Sequence, residues 1–185
     1  MRYYVTGAGT IARGWHAIGD RAYYFRKSGK TKGSQYINKK IGHLRISELG
    51  YLSEAYALGI RRLNRSGWSL SKAYRNSYSL RYYDRWWRQR SSERYALRGF
   101  KYNHGNCYVM AATFYIQAKL LGYNIRQIHG RVAYAAPHSW TEIKHNGKWW
   151  VYDPNFRNET GRNGWKIYYG KRGTWRYTNR SVFQR

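Results

Sequence analysis

The sequence is poor in cysteine, proline and acidic side chains. It contains one Cys, two Pro and eight Asp or Glu among 185 residues. A single cysteine excludes an internal disulfide and a cysteine-rich zinc site. The six histidines form no His-x-His or His-x-x-x-His pair, so the sequence predicts neither a metal site nor another cofactor.

Long apolar runs and a secretory leader are also missing. No apolar stretch approaches the ~18 residues that a membrane span needs, so we predict no membrane span. The opening residues, MRYYVTG, contain no apolar core segment of the kind found in signal peptides.

Positive charge and aromatic rings are abundant. The net charge is +27, and 21 Tyr and 9 Trp stand against 5 Phe. Tyr and Trp bury area while keeping a polar group, so the chain can still form a core. The charge predicts an anionic partner (nucleic acid, a membrane or a cell-envelope polymer) or a solvated basic face without a specific partner.

An internal repeat with a period of 20 covers residues 3–40. Tyr3 matches Tyr23, and Gly9 matches Gly29. Each unit reads as an aromatic strand, a glycine-containing turn and a second short strand, which predicts a β-hairpin. Hairpins repeated at so short a period do not bury a face alone and normally stack into an array.

The segment GWHAIGDRAYYFRKSGKTKG resembles the cell-wall-binding repeats of choline-binding and glucan-binding surface proteins, over residues 1 to about 40. The resemblance implies an extracellular, cell-wall-associated protein that binds an anionic cell-wall polymer or glycan. The first unit lacks its Gly-Trp half, so we expect the chain to be part of a longer secreted precursor. Trp15, Tyr23 and Tyr24 are then candidates for stacking on sugars or cationic headgroups, with packing inside the hairpins as the alternative.

Residues 46 to about 99 have a helical pattern. Ser47 is a plausible N-cap for a first helix, which Gly67 ends. The apolar residues of this helix recur at three- or four-residue spacing: Leu49, Leu52, Tyr56 and Ile60. A second helix is predicted through SLSKAYRNSYSLRYYDRWW.

The only cysteine lies at the start of another predicted helix, over residues 107–121. Asn106 is a good N-cap, and Gly122 is a good residue to end the helix. Cys107 lies on the apolar stripe, in the first turn. There the free N–H groups and the helix dipole favour a thiolate and can form an oxyanion hole. A packing role remains the alternative unless a catalytic partner lies close by.

The partner is predicted by a hairpin. Asn146-Gly147 between two β-rich runs is a strong turn signal. With these two residues in the turn, the numbers of facing residues sum to 293, so Trp140 faces Asp153 and His138 faces Asn155. His138, Trp140 and Asp153 then share one face of the sheet.

Asp153 and His138 become diagonal neighbours on this face. A carboxylate that accepts from one imidazole nitrogen, with the other nitrogen free, is the base arrangement of a nucleophile triad. Glu142 is the competing carboxylate, further along the hairpin. Surface or core positions are predicted for three other histidines: His104, His129 and His145.

The segments GNCYVMAATFYIQAKLLGY and HSWTEI…GKWWVYDPNF resemble the transglutaminase-like domain of papain-type cysteine enzymes, over about residues 67 to 158. The resemblance implies an α+β fold in which the cysteine-bearing helix packs on an antiparallel sheet. It implies that Cys107 is the nucleophile, His138 the base and later the acid, and Asp153 the residue that orients His138. Trp140 and Asn106 are supporting residues. The matching positions are Gly105, Cys107, Gly122, His138, Trp140, Gly147, Trp149, Asp153 and Pro154.

Two departures from the family pattern bear on the reaction. Asn106 stands where cross-linking transglutaminases usually have Gln, and Tyr108 stands where they have Trp, so cross-linking is placed in doubt. The side chain that would complete the oxyanion hole is left open, with four candidates: Trp68, Trp86, Trp87 and Gln89.

The sequence therefore predicts hairpin repeats over residues 1–43 and a catalytic domain over residues 44–185, whose tail adds strands to the sheet. The predicted function is an extracellular cysteine acyl enzyme that hydrolyses peptide amides through a thioester. The alternatives are a glutamine–lysine transamidase and a non-catalytic binder of an anionic cell-wall polymer. Nucleic acid is the less favoured anionic partner. Six of the 35 Lys and Arg lie in residues 101–150, so the positive charge lies mainly outside the segment where the chemistry is placed.

Overall fold

The computed structural model describes residues 1–85 and 88–184. Its helices are α1 (Glu54–Ser66), α2 (Leu70–Tyr78), α3 (Ser92–Tyr102), α4 (Cys107–Leu120) and α5 (Pro154–Thr160). Its strands are β1 (Gly14–Ile18), β2 (Arg21–Phe25), β3 (Lys40–Ile41), β4 (Leu44–Arg45), β5 (Arg81–Tyr82), β6 (His104–Gly105), β7 (Ile125–Arg131), β8 (Pro137–His145), β9 (Lys148–Tyr152) and β10 (Thr178–Gln184).

The main sheet has four antiparallel strands in the order β10-β7-β8-β9. The β8–β9 pairs run from Thr141 opposite Tyr152 to His145 opposite Lys148, so the predicted sum of 293 is confirmed. Asn146 and Gly147 both have positive φ, as a type I′ turn requires. The tail adds β10 at the edge of the sheet, beside β7, also as predicted.

The predicted pairing continues too far along β9. Asp153 does not face Trp140 in the ladder, and Asn155 does not face His138, because the strand ends at Tyr152. Asp153 is instead the N-cap of α5, with its Oδ1 accepting from the Phe156 N–H at 3.0 Å. Proline at position 154 has no N–H for a ladder and suits the first turn of a helix.

Helix α4 is central to the fold. Its N-cap is Asn106, whose Oδ1 accepts from the Val109 N–H at 3.4 Å. Leu121 is the C-cap, and Gly122 follows with φ +89. Nearly every residue of α4 is buried, because α1, α2 and α3 surround it on one side and the sheet covers the other. The predicted α+β fold, with the cysteine-bearing helix packed on an antiparallel sheet, is confirmed.

Different parts of the chain pack on the two faces of the main sheet. Ile125 and Ile143 face each other across β7 and β8 and pack with the helices. Ile128 and Trp140, another facing pair, belong to a second cluster with the tail residue Tyr177. Because side chains alternate along a strand, helices cover one face and the tail covers the other.

The predicted limits of the first two helices are wrong. Helix α1 begins at Glu54 with Ser53 as N-cap, not at Ser47. Gly50 has φ +82, outside the helical region, and Leu49 is 64% exposed. Tertiary pairing also overrides the helical pattern at Leu52, which forms a β-bridge with Ala22. Helix α2 ends at Tyr78, and the chain then forms β5, parallel to β6.

The N-terminal repeat does form hairpins, but the most regular one crosses the predicted unit border after Ala22. Strands β1 and β2 pair over five residues each. Single bridges, Val5 to Ile11 and Phe25 to Gln35, connect the residues within each unit.

The N-terminal hairpin packs on the helices. Ala22 is fully buried in the helical core, and the Trp15 Nε1–H donates to the Leu120 carbonyl at 3.1 Å. Strands β3 and β4 lie on either side of the predicted boundary after residue 43, and that boundary stays a prediction. Within residues 1–85 and 88–184, no helix is long and apolar enough to cross a membrane.

Candidate active site

A cavity of about 520 Å³ opens at the N-terminus of α4. Cys107 and His138 both line it, together with Asn106, Tyr82 and Trp175. The cavity therefore joins the helix that carries the thiol to the strand that carries the imidazole.

Cys107 is the first residue of α4 and is 8% exposed. Gly105, two residues earlier, is closely packed: a Cβ there would lie 2.4 Å from the Cβ of Val109. Only glycine lets the chain enter the helix this close to Val109. The Asn106 cap and this glycine explain why the Gly-x-Cys pattern places the thiol at the helix start.

His138 lies near the start of β8, opposite Gly130 on β7, and is 3% exposed. A Cβ on Gly130 would lie 2.6 Å from the Trp140 ring, so this glycine makes room for that indole. The His138 ring lies nearly parallel to Trp140, with centroids 5.9 Å apart, and meets Trp175 edge-on at 4.5 Å. These two indoles restrict its orientation.

Asp153 is fully buried and holds the imidazole. Its Oδ2 accepts from His138 Nε2 at 2.8 Å and from the Tyr177 hydroxyl at 2.9 Å. With Oδ1 capping α5 through Phe156, both carboxylate oxygens are occupied. The Tyr74 hydroxyl also donates to the Asp153 backbone carbonyl at 2.9 Å. Because Nε2 is used by Asp153, Nδ1 of His138 is the nitrogen left for the cavity.

The charges around His138 favour its protonated form. Burial lowers the pKa of His138, but the negative charges of Asp153 and Cys107 and hydrogen bonds to both outweigh it, so the pKa is raised. The imidazolium is therefore the form of His138 that this site favours. Burial, followed by the charge of Asp153, raises the pKa of Tyr177, so Tyr177 is a neutral donor.

Gln127 connects the helix that carries Cys107 to the strand that carries His138. Its Nε2 donates to the Tyr108 carbonyl at 3.2 Å and to Ser139 Oγ at 2.9 Å. Tyr108 follows Cys107, and Ser139 follows His138. Gln127 is fully buried, so these bonds hold the two halves of the site in register.

Sequence reasoning missed Gln127, Tyr177 and Trp175. Each lies outside the two segments that carry the motif, and each reaches the site only through the tertiary fold. No spacing pattern could have found them.

The supporting residues Trp140 and Asn106 are placed differently. Trp140 is fully buried behind His138, and its Nε1–H donates to the Tyr169 hydroxyl at 2.9 Å. Asn106 lines the cavity while its side chain caps α4. The competing carboxylate, Glu142, is buried in an ion pair with Arg126 at 2.5 Å, so it is not a partner of His138.

The structure does not bring the described oxyanion candidates into this cavity. Trp68 lines a different cavity, beside Trp15 and Tyr24, and donates to Asn64 at 2.8 Å. Gln89 does not line the cavity, and its backbone N–H donates to the Tyr95 hydroxyl. Two further candidates lie outside the described residues: Trp86 and Trp87.

The other histidines are engaged elsewhere. His104 bonds Arg98 at 2.8 Å, and His145 bonds the Tyr152 hydroxyl at 2.9 Å. His129 stacks on Phe183 with centroids 3.9 Å apart, as surface or core positions predict. In residues 1–85 and 88–184, no group of three His, Cys, Asp or Glu side chains is arranged to hold a metal ion.

The hairpin aromatics are half-buried. Tyr24 meets Trp15 edge-on at 5.0 Å, and Tyr23 stacks on Phe25 at 6.4 Å. Trp15 already uses its N–H within the fold. Packing therefore occupies part of each ring, and a role of these rings in stacking on a ligand stays a prediction.

Comparison with known proteins matches the middle of the chain. Residues 67–154 match the family model described as the transglutaminase-like superfamily. The match covers 88 of the 185 residues and shows a similarity of this segment to that superfamily. The match contains Cys107, His138 and Asp153 and begins after the N-terminal hairpins. The resemblance of residues 1 to about 40 to cell-wall-binding repeats stays a prediction.

Three solved structures are similar in part. A TGase is 14% identical, with a TM-score of 0.47 over 59% of this chain and 33% of that one. A protein from Cytophaga hutchinsonii, titled as a candidate cysteine protease, is 14% identical, with a TM-score of 0.43 over 70% and 49%. An arylamine N-acetyltransferase from Bacillus cereus, with a Cys-His-Glu triad, is 16% identical, with a TM-score of 0.40 over 57% and 50%.

The chain thus spans a third to a half of the length of these structures. No curated protein matches it. Tyr177 and Trp175 lie beyond the matched residues, so residues outside the family match also contribute to the candidate active site.

Proposed function

We propose that the transglutaminase-like domain is a cysteine acyl enzyme that hydrolyses peptide amide bonds. The observation that carries this proposal is the 2.8 Å bond between Asp153 and His138 at a cavity that Cys107 also lines. The triad roles follow: Cys107 is the nucleophile, His138 the base and acid, and Asp153 the group that orients the imidazole.

The reaction has two steps. In the first, the Cys107 sulfur attacks the amide carbonyl, and the His138 Nδ1 proton passes to the departing amine, leaving a thioester. In the second, His138 removes a proton from water, water attacks the thioester, and the thiolate is released. The free N–H groups in the first turn of α4 would stabilise the oxyanion in both steps.

An amine in place of water would transfer the acyl group instead, which is the transamidase alternative. The two outcomes are separated by incubating the full chain and its Cys107→Ala variant with a peptide library and cell-wall fragments. Mass loss that requires Cys107 supports hydrolysis. Incorporation of a supplied amine supports transfer.

Thiol labelling tests the triad without knowledge of the substrate. Iodoacetamide should alkylate Cys107 fast near neutral pH, because a histidinium beside a cysteine at a helix N-terminus activates the sulfur. His138→Ala should slow alkylation at least tenfold, and Thr141→Val, a substitution on the same strand outside the cavity, should not. If Cys107 is labelled slowly and at equal rates in the wild type and in His138→Ala, the proposed catalytic role is contradicted. The alternative, a non-catalytic binder of an anionic polymer, would then be favoured.

We further infer an extracellular, cell-wall-associated protein that attaches to an anionic polymer or glycan. The net charge of +27 and the hairpin repeat support this inference. The full chain should co-sediment with purified cell walls, and Tyr23→Ala should weaken the binding. Binding that is unchanged by both Tyr23→Ala and salt would oppose it.

A further inference from the structure

The charge of the candidate active site is opposite to that of the chain. The chain has 35 Lys and Arg against eight acids. The described lining of the Cys107 cavity nevertheless includes two acids, Asp84 and Glu159, and no Lys or Arg. Four other cavities of the described chain each include at least one cationic side chain: Arg13, Lys119, Arg2 and Arg126. The lining therefore does not follow the composition.

Neither acid is neutralised by a described neighbour. The Tyr82 hydroxyl donates to Asp84 at 3.2 Å. No Lys or Arg nitrogen of residues 1–85 and 88–184 lies within 4.0 Å of either carboxylate. Burial raises the pKa of Glu159, His138 lowers it, and Asp153 and Asp84 raise it again. Glu159 is thus surrounded by the triad and a second acid.

Arg131 approaches the rim of the cavity. It is close enough to Tyr108 to act on its hydroxyl, but its guanidinium is bonded to the Ala135 carbonyl at 2.5 Å. Inside the described lining, the two carboxylates of Asp84 and Glu159 outweigh the one imidazolium of His138, so the potential is negative. A cavity with one sign of charge concentrates ligands of the other sign.

We propose that the Cys107 site selects a substrate with a positively charged amine next to the reacting acyl group, held by Asp84 and Glu159. Cys107 and His138 make this cavity a candidate active site. Asp84 and Glu159 determine the sign of the charge on the substrates that bind there. The ammonium group has two sources: a lysine-like side chain on the acyl donor, or a primary amine that serves as acyl acceptor. This inference rests on the proposed function for the role of Cys107.

In the acceptor case the bookkeeping of atoms is simple. The ammonium group loses two protons, one to a carboxylate of Asp84 or Glu159, which frees the nitrogen lone pair, and one to His138 as the nitrogen attacks the thioester carbonyl. The new C–N bond forms, the C–S bond breaks and the Cys107 thiolate is released. In the donor case water is the acceptor, and the ammonium group stays protonated throughout.

Charged thiol reagents test the sign of the potential without a substrate. Aminoethyl methanethiosulfonate is a cation, and sulfonatoethyl methanethiosulfonate is an anion. Each forms a disulfide with the Cys107 thiolate and releases methanesulfinate. Rates are divided by those for a small free thiol. We expect the cation to react about tenfold faster than the anion at low ionic strength, and the preference to shrink with salt.

The net charge of +27 alone predicts that the anionic reagent reacts faster. The rates measured on the wild type therefore test the proposal before any variant is made. Faster reaction of the anionic reagent would overturn the proposal.

Matched variants locate the effect. Asp84→Asn and Glu159→Gln should each lower the cation-to-anion rate ratio about threefold, and the double variant about tenfold. Glu48→Gln changes the net charge equally, is exposed and lies outside the cavity, so it should leave the ratio unchanged. A shift as large in Glu48→Gln would overturn the proposal. Thermal melts confirm that each variant is folded.

Substrate pairs then separate the two sources. Peptide donors that differ only in Lys or Gln beside the amide test the donor arm. Cadaverine and the uncharged hydroxylamine test the acceptor arm. A preference for the cation in either arm that the double variant removes supports the proposal and names its source; no preference in both arms overturns it. If no donor acylates Cys107, the proposed function fails, whereas the reagent ratio still tests the acids.

Discussion

The hydroxyl of Tyr177 is the contact whose removal tests the site most sharply. It donates to the same Asp153 oxygen that accepts from His138, at 2.9 Å and 2.8 Å. Tyr177 is 7% exposed and packs on Trp140 with centroids 4.8 Å apart. Tyr177→Phe therefore removes one hydrogen bond and keeps the ring.

The size of the effect follows from the charge of the acceptor. A hydrogen bond to a charged group contributes about 1.5–3 kcal/mol, and in a buried site water does not readily replace it. If all of this energy were lost from the transition state, the rate of Tyr177→Phe would fall by roughly 10- to 150-fold. Because the bond exists before a substrate binds, we expect most of the lost energy to lower the free energy of unfolding, and kcat/KM of the proposed reaction to fall about tenfold.

The pH profile separates positioning from simple stability. Without Tyr177, the charge of Asp153 acts more strongly on His138, so the already raised pKa of His138 rises further. The alkaline limb of the rate profile, where the imidazolium loses its proton, should move to higher pH. A residue that only stabilises the fold would lower the unfolding free energy without moving this limb.

Labelling of Cys107 between pH 6 and 12 with iodoacetate, an anion that the imidazolium attracts, shows the alkaline limb, and urea unfolding at neutral pH gives the free energy of unfolding. Tyr169→Phe is the matched control, because Tyr169 lies in the same aromatic cluster and bonds Trp140 rather than Asp153. The reasoning is refuted if Tyr177→Phe leaves the limb in place, or if Tyr169→Phe moves it equally.

Two predictions concern stability. Burial, and then Arg88, lowers the pKa of His129 to about 4, below the ~6.5 of an unfolded histidine. The unfolded chain therefore takes up the proton first, and stability is lost as the pH falls from about 6.5 to 4. Urea unfolding should show that His129→Phe loses less stability than the wild type between pH 6.5 and 4. An equal loss in both proteins would contradict the role of His129. Gly99→Ala would place a Cβ 2.4 Å from Thr113 Oγ1, so we expect a loss of about 1–3 kcal/mol. Gly7→Ala, which meets open space, should cost little, and a loss as large there would oppose this explanation.

Local chemistry made α4 and the β8–β9 hairpin predictable. The Asn106 cap and the Gly122 stop depend on the backbone groups of α4 itself. The Asn146-Gly147 turn sets the register of the hairpin, because only one turn type suits those residues and the strand twist. The pairing of Cys107 with His138 and Asp153 followed from these local facts and from a family pattern.

Elements whose limits depend on distant contacts were not predictable in detail. Helix α1 starts at Glu54 rather than near Ser47, because Leu52 pairs with Ala22, thirty residues earlier. Asp153 leaves the strand to cap α5, so it meets His138 through its side chain and not as a cross-strand neighbour.

The sequence by itself determined which thiol lies at a helix start and which imidazole and carboxylate share one end of the sheet, since caps, turns and alternation act over a few residues. Only the tertiary structure decided what surrounds them. It brings Tyr177 from the tail to Asp153, connects the two halves of the site through Gln127, and collects Asp84 and Glu159 at the cavity of a basic protein. These contacts join residues far apart in the chain, and their pairing depends on how the helices and the tail pack on the sheet.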